Sequence, residues 1–262
     1  MPDMSTTTLS LPPSPSFRLD GKRALITGAG RGIGLAAASA LSDAGADVTL
    51  VARSADEIER LGKAIQTRGG RATALPLDVT DLAAVERMAA SHEPFDIVVN
   101  SAGVNHPAPF LDVTAEDYDA IMGLNVRSLF FVSQALARRM RASGRPGSII
   151  QISSQMGHVG AATRSVYCGS KWAIEGMTKA MAVDLAPFGI RVNTVGPTFI
   201  ETPLSTRFLQ DENFKREVLS KIKLGRIGRV EDVTGAIVFL ASDASSLMTG
   251  SAIVIDGGWT AD

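Results

Sequence analysis

Short β-branched runs alternate along the chain with stretches of helical spacing, and this alternation limits the fold more than any other feature. The runs are residues 23–27, 47–52, 72–77, 96–100, 148–153, 191–195 and 251–256. They are apolar on both faces, which suits parallel strands covered by helices on either side. Between them, residues 33–44 place Ile33, Ala36, Ala37, Ala40 and Leu41 at helical spacing, and residues 56–68, 81–92, 114–141, 163–187 and 231–240 repeat that pattern. The order predicts one doubly wound α/β domain, a seven-stranded parallel sheet with helices on both faces, over residues 17–262. Residues 1–16, rich in Ser, Thr and Pro, are expected to form a disordered tail, because they bury too little surface to offset the entropy of ordering.

Composition removes several functional classes. Net charge is −1, from 26 basic and 27 acidic residues, so no charge excess marks a nucleic-acid partner or a membrane anchor. The single cysteine, Cys168, excludes an intrachain disulfide and a cysteine-based zinc cluster. His92, His106 and His158 are far apart, so no metal site is expected. No apolar run reaches the ~18 residues of a membrane span, and a cytoplasmic location is the default expectation.

Two segments interrupt the rhythm. Residues 198–228 follow the sixth run and are too long for a simple connection, and residues 103–113 form a proline-containing loop after the fourth. Both open at the carboxyl edge of the expected sheet, where lids and substrate loops belong.

Residues 27–34, Thr-Gly-Ala-Gly-Arg-Gly-Ile-Gly, join the first run to the first helix. Glycines there let the main chain approach a pyrophosphate, while the helix end offers free N–H groups and a favourable dipole. Gly28, Gly32 and Gly34 give GxxxGxG spacing, unlike the usual dinucleotide fingerprint, and no ATPase-type phosphate loop occurs.

Tyr167 and Lys171 are four residues apart and share one helix face. A phenol with a pKa near ~10 is a poor catalyst at neutral pH, and a neighbouring ammonium favours its phenolate. Ser154 ends the fifth run, where it can donate to a substrate oxygen while the tyrosine exchanges a proton. Alone, each of these residues is compatible with an ordinary helix face or strand end, and the argument rests on their conjunction.

In this arrangement the chain, from about Leu19 onward, resembles the compact single-domain branch of the short-chain dehydrogenase/reductase family, with its Rossmann fold. Residues 27–34 are similar to the family's TGxxxGxG turn. Asn100-Ser101-Ala102-Gly103 resembles its NNAG element, Asn125 matches the asparagine of its catalytic tetrad beside Ser154, Tyr167 and Lys171, and Asp256-Gly257-Gly258 resembles its DGG close. The resemblance implies an NAD(P)-dependent oxidoreductase interconverting a secondary alcohol and a ketone. Tyr167 would be the general acid or base. Lys171 would lower its pKa and bind the nicotinamide ribose, Ser154 would polarise the substrate oxygen, and Asn125 would support a water leading to Lys171. Cofactor contacts are expected from Gly28, Arg31, Gly32, Ile33, Gly34, Arg53, Asp78, Val79, Asn100, Ala102, Gly103, Tyr167, Lys171, Pro197, Ile200 and Thr202. Asp78 would receive the adenine. Thr198 stands where the family usually has glycine, which puts the path of that loop in question.

Ala52 and Arg53 occupy the end of the second run, where an acidic residue would bind a ribose 2′-hydroxyl, and Arg31 lies in the glycine turn on the same side. Two guanidiniums suit a 2′-phosphate, so NADP is expected over NAD. Asn105, His106, Gln155 and His158 on the rim loops point to a polar substrate, a sugar, polyol or hydroxy acid. Phe199, Leu204, Phe208 and Leu209 would instead line an apolar lid, which keeps a 3-oxoacyl thioester reductase as the alternative. Two remoter alternatives are a non-catalytic nucleotide-binding regulator and an epimerase or dehydratase of the family's longer branch. The family resemblance, with apolar residues on several faces of 114–141 and 163–187 (Phe130, Phe131, Val132, Ile174, Met177, Met181), predicts a homo-oligomer, a tetramer.

Overall fold

The computed structural model describes residues 11–261, without the side chains of Leu204 and Arg207. The first ten residues of the expected tail lie outside the described residues, and residues 11–16 are exposed and carry no regular structure. Seven strands, β1 (Arg23–Thr27), β2 (Asp47–Ala52), β3 (Arg71–Pro76), β4 (Ile97–Asn100), β5 (Gly147–Ile152), β6 (Ile190–Pro197) and β7 (Ala252–Ile255), form one sheet in the order β3-β2-β1-β4-β5-β6-β7. Every pairing is parallel. The expected seven-stranded doubly wound fold is what the chain adopts.

The helices are α1 (Gly32–Asp43), α2 (Ala55–Thr67), α3 (Leu82–Ser91), α4 (Ala115–Met122), α5 (Leu129–Ser143), α6 (Ser165–Leu185), α7 (Pro203–Leu209), α8 (Glu212–Lys221) and α9 (Val230–Ala241). The strands send alternate side chains to two apolar layers. Ile26, Val99 and Ile150 join α1 and α9 on one face, and Leu25, Val98 and Ile149 join α3 and α5 on the other. This two-sided burial is why the strand runs are continuously apolar.

Four expectations change in detail. The stretch 114–141 is not one regular helix. Its chain widens into a π turn over Gly123–Ser128 between α4 and α5, which rotates Asn125 into the interior. That continuous helical run, Ala115–Ser143, is long and apolar enough to cross a membrane by length and composition, against the reading that no such stretch exists, but half of its most apolar window is buried inside the fold. Residues 198–228 fold into α7 and α8 rather than a single loop. α7 is capped by Thr202, whose side chain accepts from the Ser205 amide in a reciprocal cap. The third strand starts one residue earlier than expected and ends with Pro76 on the sheet's outer strand, where a missing N–H costs least.

The strand order reverses between β1 and β4, so a crevice opens beyond their carboxyl ends, the place where α/β sheets bind ligands.

Candidate active site

The glycine turn is shaped by close approach. Gly28 has φ +65°, and a Cβ there would stand 2.9 Å from the Ala102 main chain; a Cβ on Gly34 would collide with the Gly28 carbonyl. Thr27 Oγ1 accepts from the amides of Ser101 and Ala102 at 3.1 and 3.3 Å, locking the turn to the loop after β4. Arg31 precedes α1 without a side-chain cap, so the first amides of that helix, from Gly32, Ile33 and Gly34, remain open to an anion. Thr202 reaches across from the start of α7. Its methyl group lies 3.3 Å from where a Gly32 Cβ would be, so the two edges of the crevice meet there.

Arg31 and Arg53 are both exposed, and among the described residues neither side chain has a hydrogen bond or ion pair. Glu57 brings one negative charge nearby, its side chain lying over Gly30. Asp78 Oδ1 accepts from the amide and hydroxyl of Thr80, and these bonds hold its carboxyl below the usual range, with Arg53 contributing. Val79 is buried in the core beside it.

At the end of β4, Asn100 Nδ2 donates to Ser133 Oγ and Gln151 Oε1, both at 2.9 Å, and Gln151 Nε2 closes the triangle on Ser133 at 2.9 Å. Sequence reasoning missed Ser133 and Gln151. A buried serine on α5 and a glutamine inside an apolar strand were the available signals. Gly103 follows, close against Asn125: a Cβ there would lie 3.3 Å from its Oδ1. Asn125 itself accepts from the Val104 amide at 2.8 Å, and its Nδ2 donates to the Val104 carbonyl at 2.9 Å and Ser170 Oγ at 3.1 Å. It therefore ties the loop after β4 to α6, and the π turn is what brings it there.

Ser154, Tyr167 and Lys171 converge between β5 and α6. Ser154 Oγ donates to Gln155 Oε1 at 2.8 Å, accepts from the Met156 amide at 3.1 Å and lies beside the Tyr167 phenol. Lys171 is buried, its Nζ 5.5 Å from the Tyr167 ring centre and donating to the Ile152 carbonyl at 2.9 Å. Burial lowers the Lys171 pKa to about 8, against the opposing pull of Glu175. The Tyr167 phenol is pushed up, not down as the sequence implied. Burial dominates, and the influences favouring its phenolate are the Ser154 hydroxyl and the charge of Arg164. Arg164 was not anticipated. A basic residue just ahead of a long helix, three positions before the tyrosine, was the signal.

On the far edge, Pro197 ends β6, and Thr198 continues the pairing by donating its amide to the Ile255 carbonyl at 3.1 Å. Its φ is not in the left-handed region, so the loop accepts threonine without strain. Thr198 Oγ1 is buried with no partner. Ile200 is buried and bridges to Gly228.

The four expected substrate residues separate. Asn105 Oδ1 is buried and unpartnered, and Gln155 is buried against Ser154. His106 is tied to Asp117 at 2.9 Å on the outer side of the loop, and His158 faces Glu175 at 3.6 Å. Phe199 packs between Phe214 and Trp259, and Phe208 and Phe214 cover the Arg164 guanidinium at 5.6 and 5.7 Å. Leu204 has no described side chain, and Leu209 is half-buried at the end of α7. Among the described residues, no three His, Cys, Asp or Glu side chains gather to hold a metal ion.

Comparison with known proteins gives consistent matches over the whole fold. The family described as enoyl-(acyl carrier protein) reductase matches residues 28–260. L-xylulose reductase of Bos taurus is 42% identical over 245 residues, spanning 94% of this chain and 99% of that protein. A gluconate 5-dehydrogenase from Burkholderia cenocepacia, solved in complex with NADP and tartrate, superposes with a TM-score of 0.89 at 37% identity, covering 94% of this chain and 98% of that one. A short-chain type dehydrogenase/reductase from Mycobacterium marinum superposes at 0.85 with 42% identity and the same coverage.

Proposed function

Because the chain belongs to the short-chain dehydrogenase/reductase family, we propose that it interconverts a polar secondary alcohol and its ketone by hydride transfer with NADP, NAD being a poorer cofactor. The observation that carries this reading is the convergence of Ser154, Tyr167 and buried Lys171 at the mouth of the strand-order crevice. The site fits a dinucleotide. The amino end of α1 is uncapped, the turn at Gly28 and Gly34 admits no side chain, and Arg31 and Arg53 stand free where a 2′-phosphate would lie. When bound, the nicotinamide supplies or accepts the hydride.

The chain's residues would do the rest. Tyr167 hands its phenolic proton to the substrate oxygen in reduction and takes it back in oxidation. Ser154, beside that phenol, would hold the same oxygen. Lys171 keeps a positive charge next to Tyr167 below about pH 8 and would bind the ribose. Asn125 fixes the loop after β4 against α6, so the crevice keeps its width. In this reading Asp78 and Val79 would serve the adenine end, Asn100, Ala102 and Gly103 the middle, and Pro197, Ile200 and Thr202 the nicotinamide end.

A polar substrate is supported by the unpartnered Asn105 Oδ1 and by Gln155 beside Ser154, and the sugar-acting names of the relatives agree. The apolar lid of a thioester reductase is less well supported, because Phe199 packs on Phe214 and Trp259 instead of lining an open groove. Residues 17–262 form the catalytic unit in this reading, with 198–228 as its substrate segment, and the lone free thiol suits the cytoplasm. Exposed Phe110, Leu111, Tyr118, Trp172 and Val183 on and around α4 and α6 support self-association, a tetramer in the full reading. Light scattering tests that part, and a 27.5 kDa particle at micromolar concentration refutes it. The activity is tested by offering NADPH with polyhydroxylated ketones and acetoacetyl thioester. Turnover of the former supports the reading, and turnover of the thioester alone rejects it.

A further inference from the structure

Among the described residues, Arg164 is a buried cation without a paired anion. It is 6% exposed, its Nη1 is buried with no hydrogen-bond partner, and among the described residues no ion pair reaches it. Its position makes the charge costly in three ways. Burial strips its water and depresses its pKa. It stands immediately before the 21-residue helix α6, where the positive end of the helix dipole repels a cation. No acidic residue lies in the first turn of that helix to offset either effect. The described carboxylate whose charge registers at Arg164 is that of Glu217, and it is already paired with Lys221 at 3.0 Å.

The surroundings show what the guanidinium faces. Phe208 of α7 and Phe214 of α8 lie over it at 5.6 and 5.7 Å, so Arg164 occupies the seam between the segment 198–228 and the start of α6. From there its charge acts on Tyr167, one helical turn onward. The residue before it, Thr163, holds a left-handed φ of +59° and accepts from the Ala108 amide at 3.0 Å, which fixes the main chain that presents Arg164.

We propose that Arg164 binds a carboxylate of the substrate and so makes this enzyme selective for polyhydroxy acids over neutral polyols and sugars. The inference rests on the polar-substrate reading above and narrows it. A planar guanidinium with free N–H groups matches a carboxylate in a two-point pairing. Closure by two aromatic rings removes water from that pair, and the α6 amino end adds to the attraction for the anion. An incoming acid would satisfy Nη1, neutralise the buried charge and place its carbon chain beside the Tyr167 hydroxyl.

The test compares D-gluconate with D-glucitol, which have the same carbon count and differ in the carboxylate. Thermal denaturation is followed in NADP-saturated enzyme at fixed ionic strength, together with the kcat/KM ratio of the two compounds. Gluconate should raise Tm where glucitol and chloride do not. Arg164→Gln should weaken the gluconate response by about 10–100-fold, the range for a hydrogen bond to a charged group, and pull the kcat/KM ratio toward one. Arg164→Lys, which keeps the charge, should recover part of the effect and serves where the glutamine variant does not fold. Equal responses to gluconate and glucitol, or a gluconate response unchanged in the variants, overturn the role of Arg164 and leave the polar-substrate reading standing. Activity confined to acetoacetyl thioester, with no gluconate response, overturns both.

Discussion

The ammonium of Lys171 lies 5.5 Å from the centre of the Tyr167 ring, yet its hydrogen bond goes to the Ile152 carbonyl, 2.9 Å away. The lysine is therefore anchored to the end of β5, and the pair is held by the strand, not by direct contact. Burial brings the Lys171 pKa down to about 8 from the ordinary lysine value of 10.5. In that interval the unfolded chain binds a proton that the folded chain has released, so stability rises with pH from about 8 toward 10.5. Tyr167, whose pKa is raised, acts in the opposite direction above about 10. Thermal melts of the cofactor-free protein should show Tm of wild type climbing relative to Lys171→Met between pH 8 and 10. Parallel curves would mean that Lys171 titrates as an ordinary exposed lysine.

Asn125→Ala removes three hydrogen bonds, two to Val104 and one to Ser170, and leaves part-buried groups unpaired. The expected cost is about 1–3 kcal/mol. For a chain of this size that is a Tm lower by roughly 2–10 °C. Asn125→Asp keeps the acceptor for the Val104 amide and loses both donors, so it should fall between. Calorimetry on the three proteins checks the order, and an alanine variant as stable as wild type contradicts the bracing role.

Arg53→Asp places a carboxylate at the end of β2, where a ribose 2′-hydroxyl would be bound and a 2′-phosphate repelled. The kcat/KM for NADP should fall by about 10–100-fold, with NAD unchanged or improved. Steady-state kinetics with both cofactors measure this. A tenfold preference of the wild-type protein for NAD would overturn the assignment of Arg31 and Arg53.

The sheet was readable because its central strands are buried on both faces, which leaves unbroken apolar runs in the sequence, and because the stretches between them carry apolar residues at helical spacing. Three things were not readable in the same way. The π turn at Gly123–Ser128 shifts the helix phase by one residue, and no local residue preference separates that from a regular helix. The Asn100–Ser133–Gln151 triangle joins positions 33 and 51 residues apart, so its partners appear only when β4, β5 and α5 come together. Arg164 looks like a surface residue in sequence, and only the packing of α7 and α8 buries it. That packing also corrects the electrostatics at Tyr167, where the sequence credited Lys171 and the structure instead brings Arg164 and Ser154 to bear. His158 was readable as a polar rim residue, but the strand-end turn that carries it directs it to Glu175.

Direct hydride transfer with Tyr167 as the proton donor is best tested with NADPH deuterated on the nicotinamide carbon that delivers the hydride. The labelled cofactor is given to the wild-type protein and to Tyr167→Phe with a polyhydroxylated ketone. The account predicts one deuterium on the new carbinol carbon per turnover in wild type. In the phenylalanine variant the rate should fall by about 10²–10⁴-fold while NADPH binding is retained. Label lost to solvent, or a Tyr167→Phe rate near that of wild type, would contradict it.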